Sequence, residues 1–167
     1  MGGDQNIYID TFYIQSVLWG RDDEKRLAEE TMQKIMRSIS NHPNIHVKIP
    51  LIVVGEVINN LTRKFKIKEI LDDSTPNKLC QLIDDLKADL VPPRKESIES
   101  ARVLLTKDDR LEPADAMIVS QAVCDPDSTY LITNDTIVLE SSAIREYLKT
   151  EEIEETRRQR LNITEKF

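Results

Sequence analysis

Across 167 residues, with 40% hydrophobic and 32% charged content and a formal net charge of −7, the chain can bury one core and has the size of a single domain. No stretch approaches the roughly 18 uninterrupted apolar residues of a membrane span, and the first residues lack the basic-then-apolar layout of a signal peptide, so a cytoplasmic protein is expected. The acidic balance excludes a uniformly basic nucleic-acid-binding surface. Two distant cysteines, Cys80 and Cys124, indicate neither a disulfide framework nor a zinc knuckle.

In chain order, Ile7-Tyr8-Ile9 is short, apolar and β-prone and predicts a buried strand that stops at Asp10. From Asp23 to about Ser40, Leu27, Ala28, Met32, Ile35, Met36 and Ile39 recur at helical spacing and predict an amphipathic helix. His46 to Ile49 reads as a second strand, and Pro50 opens a helical run through Leu61 that contains Glu56. A basic stretch, Arg63, Lys64, Phe65, Lys66 and Lys68, leads to Ser74-Thr75-Pro76, which caps a further helix. Residues 62–88 thus read as an inserted helical arm.

Leu90-Val91 suggests a short strand, followed by a helix carrying Ile98, Ala101, Leu104 and Leu105. Lys107 to Leu111 reads as a charged loop. Pro113 is placed as the first helical residue of an apolar helix, which puts Asp115 in its first turn. Tyr130 to Thr133 is a strand, Asn134-Asp135 turns it, and helix follows to about Leu148. Residues 1–149 are read as one domain and 150–167 as a charged tail. Strands alternating with helices predict an α/β fold, a three-layer α/β/α sandwich on a central, mainly parallel sheet.

In open α/β sheets the ligand site forms at the carboxyl ends of strands, and two strands here end in carboxylates, Asp10 and Asp135. Glu56 is the only ionisable group between Pro50 and Ile58, and a buried, unpaired carboxylate needs a cation, a hydrogen-bond partner or water. Plainer roles exist for each acid. Glu56 could share an exposed stripe with Asn59, Asn60 and Arg63, Asp135 could cap the next helix, and Asp115 could complement a helix dipole. Thr11 and Thr133 are placed to hydrogen-bond the acids. A site built from carboxylates without Cys or His suits Mg²⁺ or Mn²⁺ rather than zinc. His42 and His46 are four apart, but Pro43 breaks any helix that would align them.

Tyr8-Ile9-Asp10-Thr11, Ile49-Pro50 with Glu56 downstream, Pro113-Ala114-Asp115-Ala116-Met117-Ile118, and Leu131-Ile132-Thr133-Asn134-Asp135 together resemble, in order and spacing, the PIN-domain nucleases. The likeness is to the compact members that act as ribonuclease toxins in toxin–antitoxin pairs, and it covers Ile7 to about Leu148. It implies that Asp10, Glu56, Asp115 and Asp135 bind Mg²⁺ or Mn²⁺, with Thr133 as the polar residue of a Thr-x-Asp motif. It also implies RNA cleavage leaving 5′-phosphate and 3′-hydroxyl ends, a homodimer and, for a toxin, an antitoxin partner. Two positions depart from the pattern: Phe12 stands where an asparagine is frequent, and Ile137 lies where a further acid is frequent.

An acidic site repels RNA, so the rim must supply positive charge, and Arg63, Lys64, Lys66 and Lys68 are the candidates, with Phe65 to stack on a base. Arg157, Arg158 and Arg160 form a second basic cluster. The competing readings are an aspartate-nucleophile phosphatase, which wants Asp-x-Asp where this chain has Asp10-Thr11-Phe12, and a catalytically degenerate PIN-like scaffold.

Overall fold

The structure is a computed structural model, and it describes residues 4–67, 74–149 and 161–167. The chain runs β1 (Gln5–Ile9), α1 (Thr11–Trp19), α2 (Asp22–Asn41), β2 (Ile45–Pro50), α3 (Leu51–Lys66), α4 (Thr75–Asp85) and β3 (Asp89–Val91). It continues with α5 (Lys95–Lys107), α6 (Pro113–Val123), β4 (Ser128–Ile132), α7 (Thr136–Glu140), α8 (Ser142–Tyr147) and β5 (Asn162–Thr164). All pairings are parallel in the order β3-β2-β1-β4-β5, and helices flank the sheet as the alternation of elements predicts. Among the described residues, no helix is long and apolar enough to cross a membrane.

β1 is the central strand, and Ile7, Tyr8 and Ile9 are all buried. That continuous burial is what a parallel strand covered on both faces requires. From β1 the chain builds outward through β2 to β3, then crosses back to place β4 on the other side of β1. The strand order therefore reverses between β1 and β4, and the carboxyl ends of these two strands border the crevice where open α/β sheets bind ligands.

The amphipathic α2 buries Ala28, Thr31, Met32 and Ile35, the face its periodicity predicts. α6 differs, because Ala116 and every residue from Ile118 to Val123 are buried. It is an interior helix, held by α5 and α3.

Two local readings change. The sequence reading left Thr11 to Trp19 unassigned, yet it forms α1: the segment has apolar residues on every side and no charged face, so no amphipathic stripe betrays it. The end of the chain, read as a charged tail, returns to the sheet as β5, pairing Leu131 with Ile163 and Ile132 with Thr164. Phe167 packs edge-to-face on Tyr130, and the Tyr13 hydroxyl donates to the carbonyl of Glu165. A three-residue strand that alternates polar and apolar residues, Asn162-Ile163-Thr164, is too short to announce itself. At Gly55 of α3 nothing lies within 4 Å of where a Cβ would stand.

Lys87 is the one described non-glycine residue with a positive φ, at 48°. Its N–H bonds to the carbonyl of Asp84 and that of Ala88 to Ile83. This is the left-handed stop that ends α4 and turns the chain into β3.

Candidate active site

Asp10 directly follows β1 and is 5% exposed. Its extended backbone makes it the N-cap of α1: Oδ1 accepts from the Thr11 amide at 2.6 Å. Oδ2 accepts from the Thr133 hydroxyl, also at 2.6 Å. A capping role and a site role thus coexist in one carboxylate. Burial pushes its pKa up, the two hydrogen bonds oppose that rise, and the charges of Glu56 and Asp135 add to it.

Thr133 follows β4 and is 1% exposed. Its backbone N–H donates to Thr164 of β5 at 3.0 Å, and its hydroxyl accepts from the Asp135 amide at 3.1 Å. Asp135 is the N-cap of α7, accepting from the Val138 amide at 3.0 Å. The capping role foreseen for it is therefore present, and the charge of this side chain also reaches Asp10 and Asp115.

Glu56 lies in the second turn of α3, half-buried, and its Oε2 accepts from the Thr11 hydroxyl at 2.5 Å. The exposed-stripe reading of Glu56 gives way to this contact with α1. Asp115 lies in the first turn of α6. Its pKa is pushed up to about 7, by burial first and then by Asp10, Asp135, Glu56 and Glu112. All the charges acting strongly on it are negative. Asp10, Asp115 and Thr133 share a crevice whose apolar walls are Ile118, Val119, Leu131 and Val138.

The four acids therefore converge at the carboxyl edge of β1 and β4, where the strand order reverses. None of them forms an ion pair with a described Lys, Arg or His. An all-oxygen donor set crowded with like charge fits a hard divalent cation. Among the described residues, however, no group of three or more acidic, His or Cys side chains is arranged as a ready cage for one.

The basic cluster sits elsewhere. Arg63, Lys64 and Lys66 occupy the last turn of α3, seven to ten residues beyond Glu56, about 10–15 Å along the helix axis. They are a helix end away from the acids rather than among them. Lys68, Arg157, Arg158 and Arg160 lie outside the described residues.

Another polar region, which the sequence reading did not foresee, opens at the other end of the strands. It is a cleft of about 420 Å³ lined by His46, Lys48, Asp89, Arg94, Gln121 and Asp125, among others. Several of its charged groups have partners. Lys48 pairs with Asp89 at 2.7 Å, His46 lies 3.8 Å from Asp4, and Asp125 Oδ2 accepts from Asn6 Nδ2 at 2.7 Å and the Tyr8 hydroxyl at 2.9 Å. The loop after α5 holds another matched acid: Asp108 is buried and takes bonds from Arg110 at 2.8 and 2.9 Å and from the Ser141 hydroxyl at 2.8 Å. Those bonds hold its pKa well below the usual carboxylate range. No pattern in Lys107 to Leu111 distinguished Asp108 from its charged neighbours.

No family model and no curated protein matches this chain.

Proposed function

We propose that the protein is a divalent-metal-dependent endoribonuclease built on a PIN-like plan, with Asp10, Glu56, Asp115 and Asp135 as the metal-holding residues. The observation that carries this reading is the gathering of four carboxylates, without a described cation partner, at the switch point of a parallel sheet. Natural folds match buried acids with donors or cations, as this one does at Asp108 and Asp125. An edge that crowds four acids together, with hydroxyl and amide donors but no described cation, supports a role in binding a cation.

Each residue has a task in this reading. Thr133 orients Asp10 and anchors the start of the Asp135 turn, while Thr11 aims Glu56 across from α1. Asp115 stands opposite on α6. A bound Mg²⁺ or Mn²⁺ supplies a more acidic water and charge stabilisation at a phosphodiester. RNA is the substrate class that the motif order favours, and in a toxin the antitoxin would set an Arg or Lys against these acids. A homodimer belongs to the same proposal, since pairing two acidic chains can assemble a longer basic rim.

The test is incubation of purified protein with end-labelled single-stranded RNA, structured RNA and matched DNA in Mn²⁺, Mg²⁺ or EDTA. The doubly substituted Asp10→Asn, Asp115→Asn protein is run alongside. Metal-dependent cutting of RNA that the variant loses is the expected outcome. Absence of cutting in every metal, together with calorimetry that finds no metal binding dependent on these acids, overturns it in favour of a catalytically inactive scaffold.

A further inference from the structure

The cleft at the amino end of the strands holds groups that the acidic edge does not use. Gln121, near the end of α6, lines it and is 5% exposed. Its Nε2 donates to the carbonyls of Val91 at 3.3 Å and Pro92 at 3.1 Å, which fixes the amide with Oε1 as the remaining polar atom. Among the described residues no donor reaches that oxygen. A buried acceptor without a donor costs stability, so the position gains from an N–H brought into the cleft.

The charges of the lining divide into those already paired and those left over. Lys48 and Asp89 hold each other, and His46 faces Asp4. Arg94, exposed as the N-cap of α5, and Asp127, half-buried before β4, line the same cleft. Neither forms an ion pair among the described residues, and Asp125 is met by neutral donors alone. Charges of both signs reach the Tyr8 hydroxyl: burial raises its pKa most, Asp125 adds to the rise and Arg94 opposes it. Val91, Pro92 and Pro126 supply apolar surface. A volume of about 420 Å³ is far more than one ion needs and falls in the range of small-molecule sites.

We propose that this cleft binds a free α-amino acid with an apolar side chain. The ammonium group meets Gln121 Oε1 and the acids Asp125 and Asp127, the carboxylate meets Arg94, and the side chain rests on Val91, Pro92 and Pro126. A zwitterion is the small ligand that answers a leftover acceptor, leftover acids and a leftover cation together. A simple anion leaves the Gln121 carbonyl and both acids unanswered, and a simple amine meets Arg94 with nothing to offset it. A guanidinium is also the side chain best shaped for a carboxylate, which it takes through two parallel N–H bonds. The site lies at the opposite end of the strands from Asp10, Glu56, Asp115 and Asp135, and it does not depend on the nuclease reading.

The test is titration calorimetry of the full chain with L-leucine, L-isoleucine, L-methionine and L-phenylalanine. Each is run beside the matching amine that lacks the carboxylate and the matching acid that lacks the ammonium group. Saturable binding of at least one amino acid, one molecule per chain, is expected, with each truncated analogue weaker on the order of 10- to 100-fold. Arg94→Ala should weaken binding of the amino acid by a similar factor, and so should Asp127→Asn. Arg94 is exposed and its cap bond is made by the backbone amide, to Ser97 Oγ, so its replacement leaves the fold standing, and a thermal melt checks that. The proposal is overturned if none of the four amino acids binds, if the truncated analogues bind as well as the amino acid, or if both folded variants bind as the wild type does.

Discussion

The two ends of the central strands treat acidic side chains in opposite ways. At the amino end Asp125 receives two side-chain donors, and the neighbouring Asp89 and Asp4 each face a basic residue. At the carboxyl end Asp10, Glu56, Asp115 and Asp135 act on one another, and among the described residues their donors are hydroxyl and amide groups. There burial and the charges of the neighbouring acids push the Asp115 pKa up to about 7, so the acids favour holding a proton.

Replacing aspartate by asparagine at each end tests that contrast most severely. Asp10→Asn or Asp115→Asn should lower RNA cleavage by a factor on the order of 10²–10³ or more, as loss of a preorganised charge does. Asp125→Asn should leave cleavage within about twofold while destabilising the fold by about 1–3 kcal/mol, because an amide cannot accept from all the donors that Asp125 satisfies. Single-turnover kinetics and urea melts read the two effects. Equal losses of activity at both ends would remove the distinction.

Stability against pH sharpens the comparison. The pKa of Asp115 is raised by folding, so below the unfolded value, near 4, both states hold the proton and nothing is lost. As pH rises from about 4 through 7 the folded state becomes progressively less stable, and the penalty is constant above that. Allowing for solvent screening, the loss is about 1–2 kcal/mol. Metal-free Asp115→Asn should therefore be more stable than wild type at pH 8 and no different near pH 4. Mn²⁺ at a hundredfold excess over its Kd should return about 2.7 kcal/mol to the wild type at pH 8. Calorimetric melts with and without metal check both signs, and a wild-type Tm indifferent to pH and metal would contradict them.

Thr133→Val probes how the carboxyl end is braced. The substitution keeps the shape of a fully buried side chain but removes the donor to Asp10 and the acceptor for Asp135. A cost of about 1–3 kcal/mol is expected, with a loss of cleavage smaller than that of Asp10→Asn. The smallest effects belong to backbone positions outside both arrangements of acids. Lys87→Gly relieves a left-handed backbone conformation and should stabilise by about 1 kcal/mol. Gly55→Ala, on an exposed helix position with open space at the Cβ, should add about 0.5–1 kcal/mol. Thermal melts measure both.

What could be read from the sequence follows from which signals are local. β1, α2 and α6 carry their own periodicity or their own proline and cap, and they appear where expected. The acids were legible because each one interrupts or closes an apolar run. Their mutual approach was not, since it depends on the strand order, and Asp115 reaches the others only because α6 runs through the interior beside β4. α1 escaped because its apolar residues surround the helix. Asp125 escaped because its partners Asn6 and Tyr8 are distant in sequence, and Asp108 because its burial depends on the distant Ser141 while Arg110 is one of several nearby charges. The basic residues after Glu56 were legible, but 1.5 Å of rise per residue carries them to the far end of α3, away from the acids.

β5 has a consequence for how the protein is made. The Thr133 amide donates to Thr164, and Tyr13 on α1 donates to Glu165, so residues beyond 160 brace both sides of the acidic edge. Translation proceeds from the amino terminus at about 5–20 residues per second, and every carboxylate of the cluster is synthesised before these braces exist. The nascent chain can therefore pair β1 to β4 before residues 161–165 are made, and the bracing of the acidic edge follows the synthesis of all four acids.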